Sequence, residues 1–98
     1  MSKLNLYVGQ DFLNSYANRE YCVYEKQCWL LDNAIKKNIP IVVSINRKDF
    51  ALIKLNNKYK YINNDLKMEL DKKYEWFPEK NRERNWEIYF TFEVLEEY

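Results

Sequence analysis

The sequence predicts an α+β domain: a mostly antiparallel sheet of roughly four to five strands with one long amphipathic helix packed on one face, in the order β-α-β-β-β-α-β. Three observations carry this expectation. Short runs alternate apolar and polar residues, most cleanly near the C-terminus. One stretch, Arg19 to Asn38, has a helical period instead. No repeat, low-complexity tract or shift of composition divides the 98 residues, so 1–98 reads as a single domain.

The elements follow in order. Leu4, Leu6 and Val8 alternate with polar neighbours and predict a half-buried first strand that turns at Gly9. Phe12, Leu13 and Tyr16 begin a weak helical pattern, with a break or bend near Asn18. From Arg19 the pattern strengthens: Tyr21, Tyr24, Cys28, Leu31 and Ile35 fall within about 80° on a helical wheel, and Lys26, Asn33 and Lys37 gather opposite. This helix is expected to end at Lys36, Lys37 and Asn38, cations suited to the negative end of the dipole, with Pro40 barring continuation. On that helix Cys22 and Cys28 would stand ~9 Å apart along the axis, beyond disulfide reach, as two reduced packing thiols.

Pro40 to Ile45 is a compact β-branched run suited to an inner strand. Asn46 to Asp49 reads as a turn. Phe50–Leu55 and Lys58–Ile62 then read as a hairpin, and a three-residue loop pairing Leu55 with Tyr59 gives it one apolar face and sets Lys54 opposite Lys60. Asp65 is the expected N-cap of a helix over Leu66–Trp76, although Leu66, Met68 and Leu70 also fit a strand. Pro78 to Asn85 is polar or proline throughout and predicts a surface loop. Trp86, Ile88, Phe90, Phe92 and Val94 alternate without a fault and predict the last strand, Trp86–Leu95.

Composition removes whole classes of chemistry. The chain has no histidine and one glycine. Nucleophiles activated by histidine, two-histidine zinc sites and the commonest pH switch therefore drop out, as do glycine-rich phosphate loops. Carboxylates are the remaining route to catalysis. Asp65 with Lys67 and Asp71 with Lys73 show an acid-x-Lys spacing found in some metal-dependent nucleases, but so many acids and lysines produce such pairs by chance. No metal, cofactor or catalytic residue is expected. The N-terminus lacks the continuous apolar stretch of a secretory signal, and no apolar run is long enough for a membrane span. A cytoplasmic protein without membrane attachment is the expectation.

What is left points to binding. Seventeen of the 98 residues are aromatic, counting three Trp, nine Tyr and five Phe, more than a small core readily hides. Trp29 falls off the apolar stripe and is the best candidate for an exposed anchor, since Trp and Tyr are favoured at interfaces. The other possibility is that a second layer covers it. The net charge of +1 averages a basic middle, Lys36 to Lys60, and an acidic end from Trp86. These features predict a small non-enzymatic protein that occupies a larger protein through Trp29, Lys36, Glu93 and Glu96. Forty of the residues are Asn, Lys, Ile or Tyr, amino acids with A/T-rich codons, which suggests a phage or mobile element and a role as inhibitor of a host enzyme such as a defence nuclease. One alternative is a nucleic-acid-binding domain using Arg47, Lys48, Lys54, Lys58 and Lys60. Against it, lysines are also the ordinary protection of an edge strand. A second alternative is a homodimer built on the aromatic C-terminal strand.

Overall fold

The computed structural model describes residues 3–56, 58–74 and 87–98. The elements are β1 (Leu4–Val8), α1 (Phe12–Tyr16), β2 (Glu20–Val23), a 3-10 turn (Glu25–Gln27), α2 (Cys28–Lys36), β3 (Ile41–Ile45), β4 (Lys48–Leu55), β5 (Lys60–Tyr61), α3 (Asn64–Tyr74) and β6 (Ile88–Glu97). The fold is α+β, with strand order β1-β3-β4-β6-β2 and β5 pairing with β6. The sheet is mixed rather than wholly antiparallel: β1 and β3 run parallel, Leu4 opposite Ile41 and Val8 opposite Ile45. Parallel neighbours need a long crossover, and α1, β2 and α2 together supply it. The sheet curls enough for residues of both edge strands, Tyr7 and Val8 of β1 with Tyr21 and Val23 of β2, to line one cavity of about 200 Å³. Among the described residues no helix is long and apolar enough to cross a membrane.

The long helix expected over Arg19–Asn38 does not form. Arg19 takes φ 58°, which ends the turn after α1 and releases the next residues as β2, with Tyr21 opposite Phe90 and Val23 opposite Ile88. Only the nine residues of α2 are α-helical. Tyr21, Tyr24 and Cys28 match a helical period by coincidence. Tyr, Cys and Val also suit a strand, and pairing with β6, distant in sequence, decides. Cys22 is thus buried on β2 while Cys28 opens α2, both as free thiols, so the helical spacing argued for them does not apply. The end of α2 follows expectation: Asn38 adopts φ 55° and the Ile39 N–H donates to Ala34 O at 3.0 Å, a Schellman cap just before Pro40.

The predicted hairpin between β4 and β5 is also absent. Strand β4 pairs with β3 on one side and β6 on the other, and β5 pairs with β6. Leu55 lies opposite Phe92 and Lys60 opposite Tyr89, so β4 and β5 occupy the same edge of β6 in succession. More chain separates Leu55 from Lys60 than separates Phe92 from Tyr89, and the chain leaves the ladder between them. Lys54 consequently faces Glu93, not Lys60. Helix α3 confirms the helical choice for this region, but Asn63 caps it in place of Asp65: Asn63 Oδ1 accepts from the Leu66 N–H at 2.8 Å. The expected loop Pro78–Asn85, the end of the expected helix at Trp76 and the strand start at Trp86 lie outside the described residues.

The core lies on the face of the sheet that α1 and α2 cover. Leu6, Ile41, Val43, Ala51, Ile53, Ile88, Phe90 and Phe92 alternate inward from the strands, and Phe12, Leu30, Leu31 and Ala34 meet them from the helices. Phe12, 0% exposed, stands at the centre. Its ring centroid is 4.9 Å from Tyr21, 5.5 Å from Phe92, 5.8 Å from Tyr16 and 6.2 Å from Phe50. Phe50 reaches it because the β3–β4 register shifts: Val43 pairs with Ala51 but Ser44 with Asp49, leaving Phe50 as the bulged residue. Gly9, before α1, is exposed, but a Cβ there would lie 2.9 Å from Asp11 Oδ1, the oxygen that accepts the Tyr21 hydroxyl at 3.1 Å.

Two outcomes follow from this packing. Phe12→Ala should cost about 3–5 kcal/mol, a large part of the roughly 5–15 kcal/mol typical of a domain, and urea denaturation should show a midpoint shifted far down. Asn46 and Arg47 form the two-residue β3–β4 turn with φ 53° and 66°, a conformation unfavourable for a side chain such as arginine by about 1 kcal/mol. Arg47→Gly should therefore raise the urea midpoint, and an unchanged or lower midpoint would contradict the strain.

Candidate protein-binding surface

The departure of the chain from the ladder after Leu55 opens a cleft beside α2. Tyr59 is carried toward α2, where its hydroxyl shares a 2.8 Å hydrogen bond with Cys28 Sγ. Cys28 Sγ also lies 3.4 Å from Asp32 Oδ2, one helical turn along. These contacts pin the chain to the start of α2 and leave an open cleft of about 570 Å³ lined by Asp32, Ile35, Lys36, Lys58 and Tyr59. Ile35 and the Tyr59 ring supply its apolar lining, and Lys36 and Lys58 complete it with Asp32. The hydrogen bond to Cys28, followed by that to Asp32, raises the Tyr59 hydroxyl above the usual phenol range. Repulsion from a charged Cys28 thiolate is the leading cause that raises Tyr61.

Exposed aromatic surface belongs to the same elements. Trp29 follows Cys28 on α2 and is 59% exposed; seven residues on, about two helical turns, Lys36 shares its side of the helix. Tyr61, also 59% exposed, packs edge to face on Tyr59 with ring centroids 6.2 Å apart. Leu30, the neighbour of Trp29 and likewise off the expected stripe, is buried, because α2 begins at Cys28 and turns a different face inward from the one a longer helix would present.

The sequence-derived candidates separate on this framework. Lys36 and Lys58 meet in the cleft, and Trp29 shares α2 with Lys36. Lys60 instead lays its Nζ 5.2 Å from the Tyr89 ring centroid. Arg47 and Lys48 sit at the opposite end of β4 from Leu55, and Lys54 stands across from Glu93. The five basic residues therefore do not form one patch. Glu93 and Glu96 lie on β6, opposite Lys54 and Leu52, outside the cleft lining. The charge segregation along the sequence is partly undone, since β4 and β6 are neighbours. Between Ile88 and Phe92, β6 has strand or loop partners on both edges, so that part of the strand has no edge to offer a second copy. Cys28, Asp32 and Tyr59 were not singled out as site residues by their spacing; the i, i+4 pair Cys28 and Asp32 was the available signal, masked by its assignment to a longer core helix.

A second polar cluster is architectural. Glu20 accepts hydrogen bonds from the hydroxyls of Tyr74 and Tyr89 and lies 3.6 Å from Lys73 Nζ. Asn18 Nδ2 donates to the Tyr74 hydroxyl at 2.8 Å, and Asn14 Nδ2 to Tyr74 O at 3.0 Å. The cluster fastens the end of α3 to the turn before β2. No group of three or more carboxylates and thiols that could hold a metal occurs among the described residues. No protein-family model matches the chain, and neither does any curated protein.

The tyrosines make stability depend on alkaline pH. Burial and then Glu97, which accepts the Tyr16 hydroxyl at 2.7 Å, push Tyr16 up to about 12. Burial first and Glu20 second raise Tyr74 and Tyr89. A phenol whose pKa is higher folded than unfolded contributes stability that is complete below about pH 10 and lost as pH climbs through the folded value. Urea midpoints should therefore fall between about pH 10 and pH 12. Tyr16→Phe and Tyr89→Phe should each flatten that fall, and an unaltered slope in both would contradict the assignment.

Proposed function

We propose that the protein is a small non-enzymatic binding domain that occupies a surface of a larger protein through the α2 side of the molecule, with Trp29 as its anchor. The observation that carries this reading is the exposed Trp29 indole on the helix that walls the cleft, with Tyr61 and Lys36 on the same side. A buried aromatic side chain covers about 150–250 Å², at roughly 25 cal/mol per Å² of apolar surface, so an indole left largely in water has several kcal/mol to gain from a partner. The absence of histidine and of glycine-rich loops from the sequence supports binding over catalysis. Inhibition of a host enzyme such as a defence nuclease, by a protein of phage or mobile-element origin acting in the cytoplasm, is the particular form suggested by the A/T-rich composition. The basic residues Arg47, Lys48, Lys54, Lys58 and Lys60 are spread over the turn, both ends of β4 and β5, an arrangement that suits single-stranded nucleic acid poorly, because such ligands need a continuous basic track.

Affinity capture from the presumed host should recover one stoichiometric protein. Trp29→Ala, a surface change that leaves the core intact, should reduce its recovery at least tenfold, while Leu95→Ala on β6 should not. Recovery of nothing, or equal recovery by Trp29→Ala, would refute the reading.

A further inference from the structure

Resting on the protein-binding reading, we infer that the cleft between α2 and the chain segment before β5 receives an acidic segment of the partner, with one large apolar side chain seated on Ile35 and Tyr59 and flanking carboxylates paired with Lys36 and Lys58. Volume, shape and charge argue for it together. The cleft, about 570 Å³, falls within the usual range for ligand pockets, and Ile35 and Tyr59 give it apolar lining. Lys36 comes from α2 and Lys58 from the segment before β5, so a ligand in the cleft meets cations from two separate parts of the chain. Neither lysine is paired in a salt bridge with a carboxylate of the described residues, unlike Lys73 with Glu20. Asp32 is the single acid in the lining, against two lysines.

A pre-formed wall makes this more than an exposed patch. The Cys28–Tyr59 hydrogen bond and the edge-to-face packing of Tyr59 on Tyr61 hold the Tyr59 ring in place before any partner arrives, which lowers the ordering cost of binding. Opposite charge across the rim gives orientation and faster association. A nucleic-acid strand fits less well: Asp32 would face its phosphates, and the cations around the cleft do not extend into a track along which a backbone could run.

The test selects random peptides displayed on yeast against the intact protein, and against the double variant Lys36→Glu, Lys58→Glu, with oligothymidine as a third probe. Both lysines are exposed, and thermal melting verifies that the variant folds. The expected result is enrichment of peptides in which Asp or Glu flanks Trp, Phe or Leu. Their affinity should fall about tenfold or more on the double substitution, and should weaken as salt rises from low to physiological strength. Enriched peptides with no acidic bias, equal binding by the double variant, or tighter binding of oligothymidine than of any peptide would each overturn the inference. Failure here stays distinct from failure of the broader reading. A captured partner that is lost on Trp29→Ala but indifferent to salt and to both lysine reversals overturns the acidic segment and keeps protein binding. No loss on Trp29→Ala removes protein binding itself.

Discussion

Phe12 is the residue around which the rest of the fold is arranged. A five-residue helix such as α1 has no stability of its own; it exists because its phenylalanine enters a ring of aromatic groups from α1, β2, β4 and β6. Those strands can surround one side chain only if the sheet curls, and two departures from regular pairing accompany the curl. The β3–β4 bulge delivers Phe50 toward Phe12 and Tyr16, and a second shift, where Ile53 pairs with Val94 but Leu52 with Glu96, leaves Leu95 outside. Bulges bend and twist the strand that carries them, so these irregularities belong to the same packing solution.

The cleft is a by-product of that solution. Curling sends β4 along the C-terminal half of β6, and the chain must leave the ladder before it resumes as β5. Tyr59, released from pairing, finds Cys28 at the start of α2, and the space between becomes a groove rather than a packed layer. One consequence is electrostatic. Lysines that would have repelled each other in a simple hairpin are parted, Lys54 beside Glu93, Lys60 over the Tyr89 ring and Lys58 on the wall of the groove.

Local patterns were readable where neighbours in sequence are also the ones that matter. The alternation of Leu4, Leu6 and Val8 is the inward face of β1, that of Ile88, Phe90 and Phe92 the inward face of β6, and the end of α2 came from Asn38 and Pro40. For Trp29 the periodicity left exposure and cover by a second layer both open, and the structure decides for exposure: α2 is shorter than the periodicity implies, and Trp29 lies outside its buried face while Leu30 lies within. Elsewhere the same reasoning misled. Tyr21 fits both a helical stripe and an alternating strand, and Leu55 with Tyr59 makes a plausible hairpin pair. In both cases β6, far along the chain, made the choice, by pairing with Tyr21 on one edge and with Leu55 and Lys60 on the other.

The amino-acid sequence by itself determined the α+β class, the inward faces of β1 and β6, the inner place of β3, the end of α2 and the exclusion of histidine- and glycine-loop chemistry, because these depend on composition and on side chains a few residues apart. Tertiary structure alone decided that β2 is a strand, that β1 and β3 run parallel, that Lys54 meets Glu93, and that Lys36, Lys58 and Tyr59 share a cleft. Those outcomes rest on backbone pairing between segments separated by tens of residues. Local periodicity carries no information about which of several compatible partners a strand will meet, and the packing of rings around Phe12 does.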